Sequence, residues 1–283
     1  MDYFTNLTLN GVAEGAIYAA LALSLIIIYQ ATRVVNFAQP ALALIAAYIA
    51  LTVTTASGSY WLGFAAALVS GLLMGSVTER LLIRPVQKTS QLSAIIITLG
   101  LLLLLQGVAG MIWSNEPHSF SYPMDFEGRF SPADIFGVAA VLGTAMLLFA
   151  LYRWTPLGLR MRAAAAHPEM ARMLGVRVGL MLTLGWGIAT VVGALAGMLA
   201  APPFVYPNVL DSVFVYGLAA AVIGGLDNPF GSLLGGFILG ISLSFVSGYL
   251  GPELMPLAAL IILILVLSVR PDGLFTRPKA RKV

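Results

Sequence analysis

Long apolar stretches alternate with short polar gaps along the chain between Leu7 and Val269. A helix rises about 1.5 Å per residue, so about 20 apolar residues cross the hydrocarbon core of a bilayer. The pattern predicts an all-α, polytopic helix bundle of roughly eight or nine membrane spans, forming one transmembrane domain over residues 1–283. The predicted spans are residues 9–29, 38–56, 60–82, 92–113, 133–152, 178–201, 213–226, 232–250 and 254–269.

The segment 213–226 is too short for a full span and ends at Asp227-Asn228-Pro229. We expect a broken or re-entrant helix buried against protein, because an unpaired backbone cannot face lipid. Asn-Pro is a strong turn signal, so these three residues predict a turn. A functional hinge at Asp227, Asn228 and Pro229 is the alternative.

Positive charge separates the gaps into two groups. Only 10% of the residues are charged, and the basic ones collect at 80–88, at 153–177 and in the tail 270–283. The gap 114–131 is mainly acidic, and 202–212 carries Asp211 alone. Cytoplasmic loops are enriched in Lys and Arg, so the basic gaps and the C-terminus are predicted to be cytoplasmic. With nine spans, the N-terminus then lies outside. The charged residues of the external gap are Glu116, Asp125, Glu127 and Arg129.

The sequence lacks the chemistry of an enzyme or a self-powered pump. It has no cysteine, no nucleotide-binding Gly-x-x-x-x-Gly-Lys-Ser/Thr motif and no His-Glu-x-x-His metal motif. Nor do its spans hold the series of carboxylates and histidines typical of proton-coupled carriers. We therefore expect no catalytic residue, no metal and no cofactor in this chain, and energy supplied by another subunit.

Glycine pairs at a spacing of four recur in the predicted spans, among them Gly11/Gly15, Gly71/Gly75, Gly193/Gly197, Gly231/Gly235 and Gly236/Gly240. Each pair leaves part of one helix face without side chains, so a neighbouring helix can approach closely. The pattern predicts a tightly packed bundle.

The longest basic gap, 157–178, predicts two short helices. The second begins at Pro168 and stops at Gly175, with His167 between the two. This elbow, rich in Ala and Met and bordered by Arg160, Arg162 and Arg172, could dock on another subunit. Alternatively, its arginines could contact lipid headgroups.

Several motifs resemble one family. The segment Met161-Arg-Ala-Ala-Ala-Ala-His-Pro-Glu-Met-Ala-Arg-Met-Leu-Gly-Val-Arg-Val is similar to the ATPase-contacting loop of branched-chain amino acid ABC transporter permeases. Asn10-Gly-Val-Ala-Glu-Gly-Ala-Ile-Tyr, Arg33-Val-Val-Asn-Phe-Ala-Gln and Glu79-Arg-Leu-Leu-Ile-Arg-Pro resemble its LivH-type member. Ile97-Thr-Leu-Gly, Ala219-Ala-Ala-Val-Ile-Gly-Gly-Leu and Val269-Arg-Pro-Asp-Gly-Leu-Phe extend the likeness along most of the chain.

The resemblance implies an inner-membrane permease subunit that works by alternating access. Its expected partners are a homologous LivM-type permease, two cytoplasmic ATPases that hold ATP and Mg²⁺, an external solute-binding protein and membrane lipid, without nucleic acid. The resemblance assigns contact with an ATPase to Arg160, Arg162, Ala164, Ala165, His167, Pro168, Glu169, Ala171, Arg172 and Gly175.

Few polar side chains lie within the spans, and each is a candidate for the translocation path because burying polar groups in a membrane is costly. Glu14 shares a helical stripe with Gly11, Gly15 and Tyr18. It could line the path or reach external water. The remaining candidates are Asn36, Gln39, Thr98 and Gln106. Asn36 and Gln39 could instead satisfy the freed backbone at a helix break, and Gln106 could bridge helices by hydrogen bonding. Glu79 and Arg80, at the inner membrane edge, predict an ion pair or an anchor rather than a gate.

We therefore expect an ABC importer permease for branched-chain or related amino acids. A sibling permease for urea, short amides or another small polar solute is the first alternative. An autonomous channel or secondary carrier is the alternative from a different class.

Overall fold

The computed structural model describes residues 2–86, 91–120 and 131–276. Lys88, Asp125, Glu127, Arg129 and the tail beyond residue 276 lie outside the described residues. Two short strands, β1 (His118–Ser119) and β2 (Phe204–Val205), pair antiparallel. The helices are α1 (Asp2–Thr32), α2 (Gln39–Ser57), α3 (Tyr60–Thr78), a π-helical turn (Glu79–Ile83), α4 (Arg84–Val86), α5 (Gln91–Trp113), α6 (Pro132–Trp154), α7 (Pro156–Ala166), α8 (Pro168–Met173), α9 (Val178–Ala200), α10 (Asp211–Gly224), α11 (Pro229–Tyr249), a 3-10 turn (Pro252–Leu254) and α12 (Met255–Val269).

The all-α membrane bundle is confirmed. Within the described residues, eight helical segments are long and apolar enough to cross a membrane. The predicted start of the first span at residue 9 is wrong, because α1 begins at Asp2. The rings of Tyr3 and Phe4 pack on Tyr249 and Phe245 of α11, which extends the helix beyond its apolar stretch.

Helix α1 lies at the centre of the bundle and packs on α6, α9, α10 and α11. Its Gly11 and Gly15 meet Gly236 and Gly240 of α11, so two of the predicted glycine pairs face each other. A Cβ atom built on Gly11 would lie 2.6 Å from Cα of Ile241. The two backbones are therefore close enough that a side chain at these positions would overlap the neighbouring helix.

Helices α5, α6 and α12 lie at the edge of the bundle and expose large apolar side chains. Examples are Leu103 of α5, Leu147 of α6 and Leu265 of α12. Such surfaces are unfavourable in water but suit lipid or another membrane subunit. The buried core instead forms between α1, α2, α9, α10 and α11.

Helix α10 has only 14 residues and is largely buried against α1 and α11. Near its start, Asp211 accepts a hydrogen bond from Gln106, which lies about 10 Å along α5 from the end at Trp113. The turn after α10 lies beside the end of α1, where Asp227 contacts Arg33. The short helix thus runs from the level of Gln106 to the end of α1 at Arg33.

The two ends of the bundle differ in charge. One end, which we call the elbow end, holds α7, α8, the end of α1 and the turn after α10. Every arginine that the structure describes lies at the elbow end or at a helix end leading to it. They are Arg33, Arg80, Arg84, Arg153, Arg160, Arg162, Arg172, Arg177 and Arg270. This asymmetry is the one that cytoplasmic faces of membrane proteins show.

Candidate functional site

The elbow consists of the two predicted short helices, α7 and α8, which meet at His167. Thr155 begins α7 by accepting a hydrogen bond from the backbone N–H of Gly158 at 3.1 Å. Pro168 occupies the first turn of α8, and His167 provides no side-chain cap. Gly175 follows with φ at +79°, a left-handed conformation that glycine adopts without strain.

The inward face of the elbow holds two of the alanines assigned to the coupling loop. Ala164 and Ala171 are only 3% and 1% exposed. They pack with Met161, Val178 and Met181 in a small core between the elbow and α9. Their small side chains allow the elbow helices to pack closely against the bundle, and their place in an ATPase-coupling loop stays a prediction.

The outward face of the elbow is apolar at its tip. Met170, Met173 and Leu174 are 63%, 87% and 83% exposed. Exposed charged side chains lie on both elbow helices: Arg160 and Arg162 on α7, and Glu169 and Arg172 on α8 with the tip. The sequence indicated apolar residues here but could not show which of them face outward. An exposed apolar tip with a charged rim is the composition of a protein contact surface.

A polar network joins the elbow end of α3 to α9. The fully buried carboxylate of Glu79 accepts two hydrogen bonds from Arg84, at 3.1 and 2.7 Å. Arg84 also donates to the Gly179 carbonyl at 2.7 Å, and Thr183 donates to Glu79 at 2.7 Å. The network fixes α9 where it emerges from the elbow.

The prediction of an ion pair at Glu79 is correct, but its partner is Arg84 rather than Arg80. The π-helical turn over Glu79–Ile83 has i→i+5 hydrogen bonds and more residues per turn than an α-helix, which brings residues five apart onto one side. Arg80 is left exposed. Arg84 was missed because the Glu79-x-x-x-x-Arg84 spacing brings the two side chains together in a π-turn but not in a regular α-helix. Thr183 was missed because it lies 104 residues from Glu79 and no local spacing connects them.

Glu14 and Tyr18 meet, as their shared stripe predicts. The Tyr18 hydroxyl donates to the Glu14 carboxylate at 3.5 Å, and the Tyr18 ring lies 5.3 Å from the ring of Tyr216 in α10. Glu14 is partly buried and lies about 27 Å along α1 from Thr32. An acidic side chain bonded to a phenol hydroxyl is thereby held within the membrane-spanning part of the bundle.

Asn36 and Gln39 are both fully buried in the turn between α1 and α2. The Asn36 amide donates to Gln39 at 2.9 Å, and the Gln39 amide donates to the Ala189 carbonyl at 3.3 Å. A Cβ atom on Gly193 would overlap the Gln39 amide. Their hydrogen-bonding groups thus serve the helix break and its contact with α9. Direct solute contact by either residue stays a prediction.

Thr98 and Gln106 lie on α5 but have separate partners. Thr98 donates to the carbonyl of Ile95 in its own helix at 2.9 Å. Gln106 donates to Asp211 at 2.8 Å and so connects α5 to α10. Bridging of helices is the packing role considered for Gln106. Solute contact by Thr98 and Gln106 stays a prediction.

Asp227, Asn228 and Pro229 form the turn between α10 and α11. Asn228 caps α11 by accepting from Phe230 N–H at 3.1 Å, and Pro229 occupies its first turn. Asp227 pairs with Arg33 at 2.5 Å, a contact that raises the pKa of the Arg33 guanidinium. The turn is thus capped and tied to α1.

Several cavities lie at the elbow end, including two that border the elbow. The first is a space of about 260 Å³ between α1, α6 and α11, with a mostly apolar lining. The second measures about 570 Å³ and lies between Arg33, Arg84, Ala165, Pro168 and Arg172. Within the described residues, no three His, Asp or Glu side chains converge as a metal site would require.

Comparisons with known proteins agree with this architecture. A family model described as branched-chain amino acid transport system, permease component, matches residues 7–268. LivH of Escherichia coli, a high-affinity branched-chain amino acid transport system permease protein, is 29% identical over 99% of this chain and 98% of its own length. BraD of Pseudomonas aeruginosa, described in the same words, is 26% identical over 97% of this chain and 96% of its own length.

More distant similarity extends to other cargoes and to a solved structure. The xylose/arabinose import permease XylH of Sulfolobus acidocaldarius is 29% identical, over 62% of this chain and 48% of its own length. A chain of the PsaBC structure from Streptococcus pneumoniae, solved in complex with a Fab, shares the fold with a TM-score of 0.52. That match has 15% identity and covers 96% of this chain and 93% of the other. By the family match across residues 7–268, the chain belongs to the family of branched-chain amino acid transport permease components.

Proposed function

We propose that this chain is the permease subunit of an ABC importer for branched-chain amino acids in a bacterial-type inner membrane. The observation that carries the proposal is the similarity to LivH, which extends over 99% of the chain. The chain itself catalyses no bond chemistry. Its task is to adopt two packings whose equilibrium its partners shift.

In this proposal, the partners are two cytoplasmic ATPases, an external solute-binding protein and a second, LivM-type permease. ATP and Mg²⁺ bind to the ATPases. The arginine-rich elbow end faces the cytoplasm, which places the C-terminus inside and the N-terminus outside.

The elbow is the proposed contact with one ATPase. Its outward tip of Met170, Met173 and Leu174 supplies the apolar area, and its arginines supply charge at the rim. Force applied there reaches the bundle in two ways. The Ala164–Ala171 core presses on α9, and the Glu79–Arg84 network joins the start of α9 to α3.

Glu14, Tyr18 and Tyr216 form the proposed polar lining of the translocation path. A carboxylate beside two phenol rings suits the ammonium group of an amino acid, through ion pairing and through attraction to the ring faces. Asn36, Gln39, Thr98 and Gln106 then act mainly by holding the helices around that path.

The coupling step is tested by changing the exposed tip of the elbow. In the reconstituted complex, Met173→Asp and Leu174→Asp should abolish the stimulation of ATP turnover by loaded binding protein. Met173→Leu is the matched control, because it keeps an apolar side chain of similar volume. Membrane insertion should be the same in all variants. Normal stimulation in both aspartate variants would exclude this surface as the ATPase contact.

The cargo is tested by calorimetry on the cognate binding protein with leucine, urea and an aromatic amino acid. We expect heat of binding with leucine and none with urea. Binding of urea alone would instead support the alternative of an amide permease on the same scaffold.

A further inference from the structure

A groove at the edge of the bundle has the shape and chemistry of a lipid site. It is the cavity of about 260 Å³ between α1, α6 and α11, and it borders the first elbow helix, α7. Most of its lining is apolar, including Leu23, Ile27, Ala145, Leu148, Phe149 and Leu233. On its outer side, α6 exposes Met146 and Leu147, so the groove lies beside a surface suited to lipid.

Aromatic residues mark the depth of the groove. The Phe149 ring lies 5.2 Å from Phe230 and 5.8 Å from Trp154, and all three rings are exposed. Tryptophan at the end of a spanning helix is typical of the level of the lipid headgroups. Trp154 ends α6 immediately before the elbow. The mouth of the groove thus lies at the headgroup level of the elbow end.

One cationic side chain lines the mouth. Arg162 of α7 is exposed and borders both this groove and a smaller adjoining cavity. In the described part of the chain, the two ion pairs are Arg33–Asp227 and Arg84–Glu79, so Arg162 takes part in neither. Gln30 and Tyr152 are the other polar residues of the described lining, and Gln30 donates its amide to the Asp227 carbonyl. The guanidinium is therefore available to an anionic group.

We propose that this groove binds an anionic phospholipid from the leaflet at the elbow end. One acyl chain lies between α6 and α11, and the phosphate contacts Arg162. Basic pockets between membrane helices on the cytoplasmic side recognise anionic headgroups in this way. A zwitterionic amino acid fits less well, because the described lining offers no carboxylate for its ammonium group.

In this proposal Arg162, which the family resemblance assigns to the ATPase contact, binds lipid instead, and the elbow's membrane contact is separate from its apolar tip. Arg162 projects from α7, whereas the exposed apolar tip belongs to α8 and the residue after it. The proposal depends on the groove and its charge and does not rest on the transported solute.

The test is photolabelling of the full-length chain, in the complex in which it is purified. The complex is placed in phosphatidylcholine nanodiscs that contain phosphatidylglycerol with a diazirine on one acyl chain. Mass spectrometry should locate the label on the 145–149 segment of α6 and on Phe230. Arg162→Gln should lower that labelling about five-fold, the change expected for one arginine at an anionic surface. Arg160→Gln, a change two residues away that lies outside the lining, should leave it unchanged.

A second pair of variants tests the acyl-chain position. Ala145→Trp fills the groove and should remove the label from Phe230, whereas Met146→Trp, on the exposed side of α6, should not. The proposal is overturned if the probe labels α5, α6 and α12 evenly, or if a phosphatidylcholine probe labels the groove equally well. It is also overturned if the groove in the wild-type complex takes no label, which would mean that another subunit covers it.

Discussion

The buried carboxylate of Glu79 lies 2.7 Å from the guanidinium of Arg84, across a single π-helical turn. Arg84 also contacts α9 through the Gly179 carbonyl. Because the Glu79 side chain is fully buried, its negative charge depends on the arginine and on Thr183. The pair is thus a structural requirement of the elbow end rather than a surface ion pair.

Replacing Arg84 with Ala should destabilise the chain by about 3–5 kcal/mol, because it leaves a buried carboxylate without its partner. The double variant Glu79→Gln, Arg84→Gln should lose less than the single variant, since it removes the uncompensated charge. Thermal unfolding of the purified chain in detergent measures both. Arg80→Ala, an exposed neighbour, should change stability by less than about 0.5 kcal/mol. Equal effects of Arg80→Ala and Arg84→Ala would contradict the assignment.

The seam between α1 and α11 gives a second prediction. Gly240→Ala should destabilise by about 1–3 kcal/mol, because its Cβ would overlap the backbone of Gly15. Gly107→Ala in α5 is the control: its Cβ would meet nothing within 4 Å. That change should be neutral or stabilising by up to about 1 kcal/mol, as alanine favours helix more than glycine does. The same unfolding assay compares them, and similar losses at the two positions would argue against close packing.

Sequence patterns predicted those parts of the fold that depend on local periodicity. The spans, the two elbow helices, the turn at Asn228 and the close-packing glycines all follow from spacing of apolar and small residues. Which glycine pairs meet could not be predicted, since Gly11/Gly15 could pack on any small-residue face. The same limit left open which way Ala164 and Ala171 face, because both faces of a short Ala-rich helix look alike in sequence.

The polar contacts were predictable only in part. Glu14 and Tyr18 are four residues apart on one helix, so their contact follows from local geometry. Tyr216, whose ring lies beside that of Tyr18, comes from the distant helix α10. Asp211, the partner of Gln106, also comes from α10, 105 residues further along the chain. The Glu79–Arg84 pair depends on a π-turn, a rare conformation for which the sequence of an apolar helix carries no clear signal.

The proposed path through Glu14 predicts a specific transport defect. Glu14→Gln retains the size of the side chain and loses the charge, so uptake should show a raised KM for the amino acid. Tyr18→Phe should have a smaller effect, since the hydrogen bond that it removes is long, at 3.5 Å. Radiolabelled leucine uptake by the reconstituted complex measures both. Unchanged uptake kinetics in Glu14→Gln would show that Glu14 has only a structural role.

The turn at Asp227 can be distinguished from a hinge. Its ion pair with Arg33 is exposed, and such pairs contribute about 0–1 kcal/mol. Asp227→Asn should therefore lower the free energy of unfolding by less than about 1 kcal/mol and leave transport rates unchanged. A large loss of transport with an unchanged unfolding curve would favour the hinge instead.

The central claim is that this chain provides a path but no energy. The most direct measurement is leucine uptake into proteoliposomes that contain the chain alone or the complete complex, each with internal ATP and external binding protein. We expect accumulation against the gradient only with the partner ATPases present. Concentrative uptake by the chain alone would contradict the account.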